Sequence, residues 1–186
     1  MGSEIEAMVR ELHDRQAIRD VVIRYCRGVD RMDRALVLSC YHPEAIDDHG
    51  LFVGGPEAFV DWAFALHTHV QFAHQHIVTN HSCELDGDTA HTETYWMFAG
   101  MHHEGAKLTI GGGRYIDRME RRLGEWRIAA RKCIPDWGGQ PTESWLSPEA
   151  SAALASGGTA ARNNSDVSYE RPLTIDPERI GKIFAL

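Results

Sequence analysis

Long apolar runs are missing from this 186-residue sequence: none approaches the roughly 18 consecutive apolar residues that a membrane helix needs. The opening stretch, MGSEIEAMVREL, is acidic and amphipathic, so it reads as a helix and not as a signal peptide. Met1-Gly2 is not followed by the Ser or Thr that a myristoylation signal wants, because Glu6 stands there. Positive charge is also scarce. Lys and Arg number 19 against 27 Asp and Glu, a net charge of −8, which leaves no basic stripe for tracking phosphates and argues against a nucleic-acid partner. The four cysteines, Cys26, Cys40, Cys83 and Cys133, form no C-x-x-C pair. A disulfide scaffold or zinc ribbon is therefore not expected, and free thiols fit a cytoplasmic protein. No H-E-x-x-H occurs, and Gly111-Gly112-Gly113 lacks the Lys-Ser/Thr ending of a phosphate loop.

What is present is enough for one folded domain, with 43% hydrophobic residues. Ser3-x-x-Glu6 is a capping box, and Ile5, Met8, Val9 and Leu12 are followed by Ile18, Val22, Cys26 and Val29 at helical spacing. A short second helix follows Asp33, ended by His42-Pro43. Residues 45–53 read as a strand or hairpin, and Gly54-Gly55-Pro56 opens a third helix with Phe59, Trp62, Ala63 and Leu66 on its apolar face. From about residue 73 to 134 the period changes to that of four long strands. Their turns are Asp86-Gly87-Asp88, His103-Glu104-Gly105 and Leu123-Gly124-Glu125. Three helices and then a meander predict an α+β domain, its helices covering one face of a curved, mixed or antiparallel sheet. Beyond Trp137 the chain turns Gly/Ser/Ala-rich, so residues 1–137 are read as the domain and 138–186 as an extension, with one short helix over Pro148–Leu154.

The end of the first helix carries an oddly placed acid. With Val22 at zero and about 100° per residue, Cys26 and Val29 fall within roughly 40° of it, Tyr25 at about −60° and Asp30 at about +80°. Asp30 thus borders the buried stripe, at the helix end where the dipole disfavours an anion. It either caps the next helix, pairs with Arg131 or another base, or orients a histidine for general-base chemistry. Eleven histidines offer themselves. The H-x-H pairs lack a third ligand at a familiar spacing, so no catalytic metal is expected. Asp47-Asp48-His49 is a second polar cluster, which reads as a turn network or else borders the pocket or binds a metal weakly.

The segments AIRDVVIRYCRGVDRMDRALVLSCYHPEAIDDHGLFVGG, HQHIVTN and GGGRYIDRMERRLGEWRIAARK, in this order and spacing, resemble the SnoaL-like branch of the nuclear transport factor 2-like superfamily. Scytalone dehydratase, hexachlorocyclohexane dehydrochlorinase, bile-acid dehydratases and polyketide cyclases belong to it. The resemblance covers roughly residues 5–137 and implies a cone-shaped half-barrel and a cofactor-free lyase of dehydratase type. Isomerisation, C–C cleavage and a non-catalytic binding or assembly role are its alternatives. It makes the aspartate of G-V-D, Asp30, and the histidine of H-I-V-T-N, His76, a catalytic dyad. Tyr25, five residues before the aspartate, matches the tyrosine of the bile-acid dehydratases, where the dehydrochlorinase has lysine. Arg131 matches an arginine that either binds a substrate oxygen or neutralises Asp30. Counting along the strands, Trp96, Phe98, Gly111 and Gly113 fall near pocket-lining positions, where the glycines either mark a bend or leave room for a flat ligand. The implied partners are a hydrophobic small molecule and further copies of the chain, in a homotrimer or homodimer, with no membrane and no nucleic acid. The extension would be a lid or an oligomer arm.

Overall fold

The computed structural model describes residues 2–105, 107–141, 161–166, 169 and 177. Helix α1 spans Gly2–Asp30, α2 Arg34–Leu38 and α3 Pro56–Val70. The strands are β1 Tyr41–Asp48, β2 Val53–Gly54, β3 Gln71–Asp86, β4 Thr89–His102, β5 Leu108–Arg122 and β6 Glu125–Gly139. They form one mixed sheet in the order β2-β1-β6-β5-β4-β3, open at both edges. Only β1 and β6 run parallel; the other neighbours are antiparallel. This is the α+β half-barrel expected from the sequence. The short helix expected over Pro148–Leu154 lies outside the described residues. No described helix is long and apolar enough to cross a membrane.

Local chemistry accounts for the element ends. Asp33 caps α2 by accepting a hydrogen bond from the Leu36 amide at 3.0 Å. Pro56 opens α3, where its missing N–H leaves no gap in the helix. Gly87, Gly105 and Gly124 sit in the three strand turns with positive φ, a conformation that glycine adopts without strain. The first helix is a single rod, yet its apolar residues have two fates. Ile18, Val22, Cys26 and Val29 are buried against the sheet, whereas Ile5, Met8, Val9 and Leu12 are exposed. Periodicity fixes the face of a helix, not the point at which the sheet beneath it ends.

The register places the interior side chains in rows, because directly opposed residues in antiparallel strands share a face. One row runs His76–Phe98–Gly111–Gly138 across β3, β4, β5 and β6, the next Val78–Trp96–Gly113–Pro135. A third holds Thr94, Tyr115 and Cys133, and a fourth Thr92, Asp117 and Arg131. The rows descend from the mouth of the half-barrel to its closed end, where α1 packs on β3 and β6. Among the described extension residues, 161–166 lie near the end of α1: Arg31 donates to the Ala161 carbonyl at 2.6 Å and pairs with Asp166 at 2.9 Å.

Candidate active site

A cavity of about 400 Å³ opens between α1, α3 and the interior face of the sheet. Its walls include Trp62, Trp96, Phe98, Phe59 and Tyr115, and no Asp, Glu, Lys or Arg lines it among the described residues. Its polar groups are few: Tyr25, His49, His67, Gln71, His76 and Thr109 are the main ones. An apolar chamber with a few converging polar groups is the usual form of a small-molecule site.

Asp30 and His76 meet at its edge. Asp30 Oδ1 lies 2.7 Å from His76 Nδ1, and both carboxylate oxygens accept from the His76 backbone N–H at 3.0 Å. The end of α1 thus holds the strand β3 by a main-chain contact and the imidazole by a side-chain contact. An ionised carboxylate only accepts, so Nδ1 carries the proton and the lone pair is on Nε2. The His76 side chain is 10% exposed and edge-on to Phe98 at 5.1 Å. This arrangement is a histidine in one fixed tautomer, its free nitrogen available to a proton donor.

Two further histidines stand behind it. His67 stacks on His74 at 4.1 Å, His67 Nδ1 meets Gln71 Oε1 at 2.8 Å, and His74 Nε2 donates to the Val29 carbonyl at 3.2 Å. Burial pushes His67 down to about 4 and His74 down to about 2, the latter aided by neighbouring imidazoles. Both are therefore neutral props and not acids at neutral pH. Asp30, His74 and His76 each place a ligand atom within 4.8 Å of the others. In this cluster His76 Nδ1 is engaged by Asp30 and His74 Nε2 by the Val29 carbonyl.

The depressed pair has a consequence for stability. Their folded values lie below the ordinary 6.5, so the unfolded chain binds more protons. Stability is complete above pH 6.5 and is lost as pH falls toward the folded values. Urea unfolding at pH 5 is expected to show a loss of about 2 kcal/mol per histidine relative to pH 7.5. Substituting His67 by Asn would remove its share of that slope.

Tyr25 is buried and lines the cavity. Its hydroxyl lies 3.4 Å from His49 Nε2. His49 in turn contacts Asp47 Oδ1 through Nδ1, and Asp47 Oδ2 accepts from the Tyr41 hydroxyl at 2.5 Å. His49 thus borders the pocket, one of the places the sequence allows for the 47–49 cluster, but the pairing with Asp47 is not what the favoured turn network predicts. That reading suits only Asp48, whose Oδ1 accepts from the Gly50 amide at 3.0 Å. The available signal was the D-x-H spacing, which puts Asp47 and His49 on one side of an extended chain.

Arg131 requires correction. It neither lines the cavity nor pairs with Asp30. Its guanidinium donates twice to Asp117, at 2.7 Å each, with both side chains fully buried. It lies 4.2 Å from the Tyr25 ring centre and 4.1 Å from that of Tyr115. Arg131 is thus a strut beneath the cavity floor. Burial raises the Tyr25 hydroxyl well above its ordinary value, with Arg131 opposing. Trp96, Phe98 and Gly111 line the cavity, but Gly113 does not. A Cβ on Gly113 would lie 2.1 Å from the Ile134 carbonyl oxygen and 2.7 Å from Trp96 Cζ2, so the space above it is taken by protein and not left for a ligand. Cys133 is also at the wall, but burial pushes its thiol up to about 12, which makes it a poor nucleophile.

With this geometry in hand, the comparisons are decisive for kinship. The sequence model of the SnoaL-like domain matches residues 10–132. The chain belongs to the SnoaL-like family. Its fold is shared with the hexachlorocyclohexane dehydrochlorinase of Novosphingobium barchaimii, at 21% identity and TM-score 0.69, covering 75% of this chain and 98% of that one. A candidate scytalone dehydratase from Novosphingobium aromaticivorans matches at 14% identity and TM-score 0.64, over 74% and 94%. A protein of unknown function from Mycobacterium tuberculosis matches at 25% identity and TM-score 0.62, over 69% and 75%. No curated protein matches in sequence.

Proposed function

We propose that this SnoaL-like protein is a cofactor-independent lyase of dehydratase type, acting on a neutral aromatic or alicyclic compound. The observation that carries the reading is the 2.7 Å Asp30–His76 bond beside an open, aromatic-lined cavity. A carrier or assembly module has no need of a fixed tautomer facing such a space. His76 Nε2 takes a proton from a carbon made acidic by a neighbouring carbonyl or ring. The C–H electron pair becomes the new C=C bond, the C–O bond breaks, and the leaving oxygen takes a proton from the Tyr25 hydroxyl to depart as water. Solvent then removes the proton from His76 and restores that of Tyr25. A cavity lined by no Asp, Glu, Lys or Arg among the described residues fits an uncharged substrate, and exclusion of water strengthens the Asp30–His76 interaction.

The test is a panel of neutral aromatic and alicyclic β-hydroxy carbonyl compounds, followed by mass spectrometry. Loss of water in the wild type, and not in His76→Gln, is the expected result. Turnover that persists unchanged in His76→Gln overturns the reading. Release of formaldehyde would instead mark retro-aldol cleavage. There His76 takes the proton of a hydroxyl, and the O–H electron pair becomes the C=O bond of formaldehyde. The pair of the broken C–C bond passes to the carbon beside the substrate carbonyl, which then takes a proton.

The outer sheet face supports self-association. Ile77, Met97 and Trp137 are exposed there, in one row around Gly112. We propose that copies of the chain cover this row in a homotrimer or homodimer. Sedimentation velocity should find an assembly that Met97→Glu dissociates; a wild-type monomer would dispose of the idea.

A further inference from the structure

The proposed reaction leaves one difficulty unresolved. A tyrosine buried as Tyr25 is does not readily become a tyrosinate, yet the leaving oxygen needs its proton. The Tyr25 hydroxyl lies 3.4 Å from His49 Nε2. His49 is held as firmly as His76. The fully buried Asp47 engages Nδ1, Tyr41 fixes the other carboxylate oxygen, and Phe59 lies against the imidazole at 4.7 Å. The ring is nonetheless at the cavity wall, with its side chain 16% exposed.

We propose that His49, positioned by Asp47, is the acid of this site, receiving the substrate's oxygen in concert with Tyr25 while Asp30–His76 acts as the base. This rests on the dehydratase-type reading and deepens it. The starting state has His49 protonated on both nitrogens, its cation stabilised by the Asp47 carboxylate, and His76 neutral. As the C–O bond breaks, the Tyr25 proton passes to the departing oxygen and the His49 Nε2 proton passes to Tyr25. No tyrosinate accumulates. The products are alkene and water, His49 is left neutral and His76 protonated, and exchange with solvent resets both. The same pair would hold an oxyanion: the His49 imidazolium and the Tyr25 hydroxyl both donate to the oxygen of a phenolate or enolate whose proton has passed to solvent. The substrate class narrows accordingly to molecules with an acidic proton at one end and a hydroxyl or carbonyl oxygen at the other, joined by a flat apolar body.

The test uses para-nitrophenol, whose anion has a visible absorption band that the neutral phenol lacks. At a pH below the phenol's own ionisation, the wild-type protein is expected to bind it as the phenolate. His49→Gln should lose the band and bind about 10–100-fold more weakly, the range for a hydrogen bond to a charged group. His76→Gln should keep the band. Nitrogen-15 NMR of the unsubstituted protein supplies a readout independent of any variant: the His49 ring nitrogens should stand at imidazolium positions both in the free protein and with the phenolate bound. A band retained in His49→Gln, no band in the wild type, or His49 nitrogens at neutral-imidazole positions overturns the proposal. The dyad is judged separately, by turnover with His76→Gln, so the two readings can fail independently.

Discussion

Asp30→Asn is expected to lower turnover by about 10²–10⁴-fold, the usual span of general acid–base catalysis, with little loss of folding stability. The reason lies in what the asparagine can still do. Its amide oxygen continues to accept from the His76 backbone N–H, a bond now shared by both carboxylate oxygens at 3.0 Å, so the junction of α1 and β3 survives. Its NH2 group, however, now faces His76 Nδ1. The imidazole must respond by placing its proton on Nε2, and the nitrogen that faced the substrate no longer accepts one. The loss should appear in kcat with KM nearly unchanged, because the cavity walls are untouched. His76→Gln should lose a similar factor, and the double variant no more than either single one, since the two residues act as a unit. Nitrogen-15 NMR would show the tautomer change in Asp30→Asn directly. Unaltered turnover in that variant would remove the dyad from the mechanism.

The half-barrel was legible in the sequence because its signals are local. Helical spacing, the Asp33 cap, Pro56 and three glycine turns each act within a few residues. The turns also set the strand register, which is why Trp96, Phe98 and Gly111 could be assigned to the interior. Asp30 was legible as an acid bordering a buried face, but its partner 46 residues away came only from family resemblance. What escaped depends on tertiary approach. Tyr25 on α1 and His49 after β1 are brought together by the way the helix crosses the sheet, which no spacing encodes. Gly113 was misread because the register between β5 and β6 shifts at Gly112/Gly113, bringing the Ile134 carbonyl over it. Arg131 was matched to the correct strand and the wrong partner. β5 and β6 shift register again between Arg118 and Met119, and Asp117 ends directly opposite Arg131.

That opposition predicts the largest effect on stability. Arg131→Met leaves Asp117 fully buried with its two 2.7 Å donors removed. Breaking a buried pair from one side costs about 3–5 kcal/mol, because the remaining charge is uncompensated. For a chain of this length, that corresponds to a fall in Tm of roughly 6–20 °C. Replacing both partners, Arg131→Met with Asp117→Leu, removes the stranded charge and should recover much of the loss. Recovery should be incomplete. The guanidinium also lies between the Tyr25 and Tyr115 rings, at 4.2 and 4.1 Å, and β6 sets Arg131 beside Asp47 in the parallel register. The double variant therefore loses two cation–aromatic contacts and the cation that stands opposite Asp47 on the neighbouring strand. Urea unfolding of the two single variants and the double variant separates these contributions. A double variant as unstable as Arg131→Met would mean that the arginine's contacts with the rings and Asp47 outweigh its bond to Asp117. Activity supplies the second readout: if Arg131 serves the site only as the support beneath Tyr25, the double variant should fold and still turn over slowly.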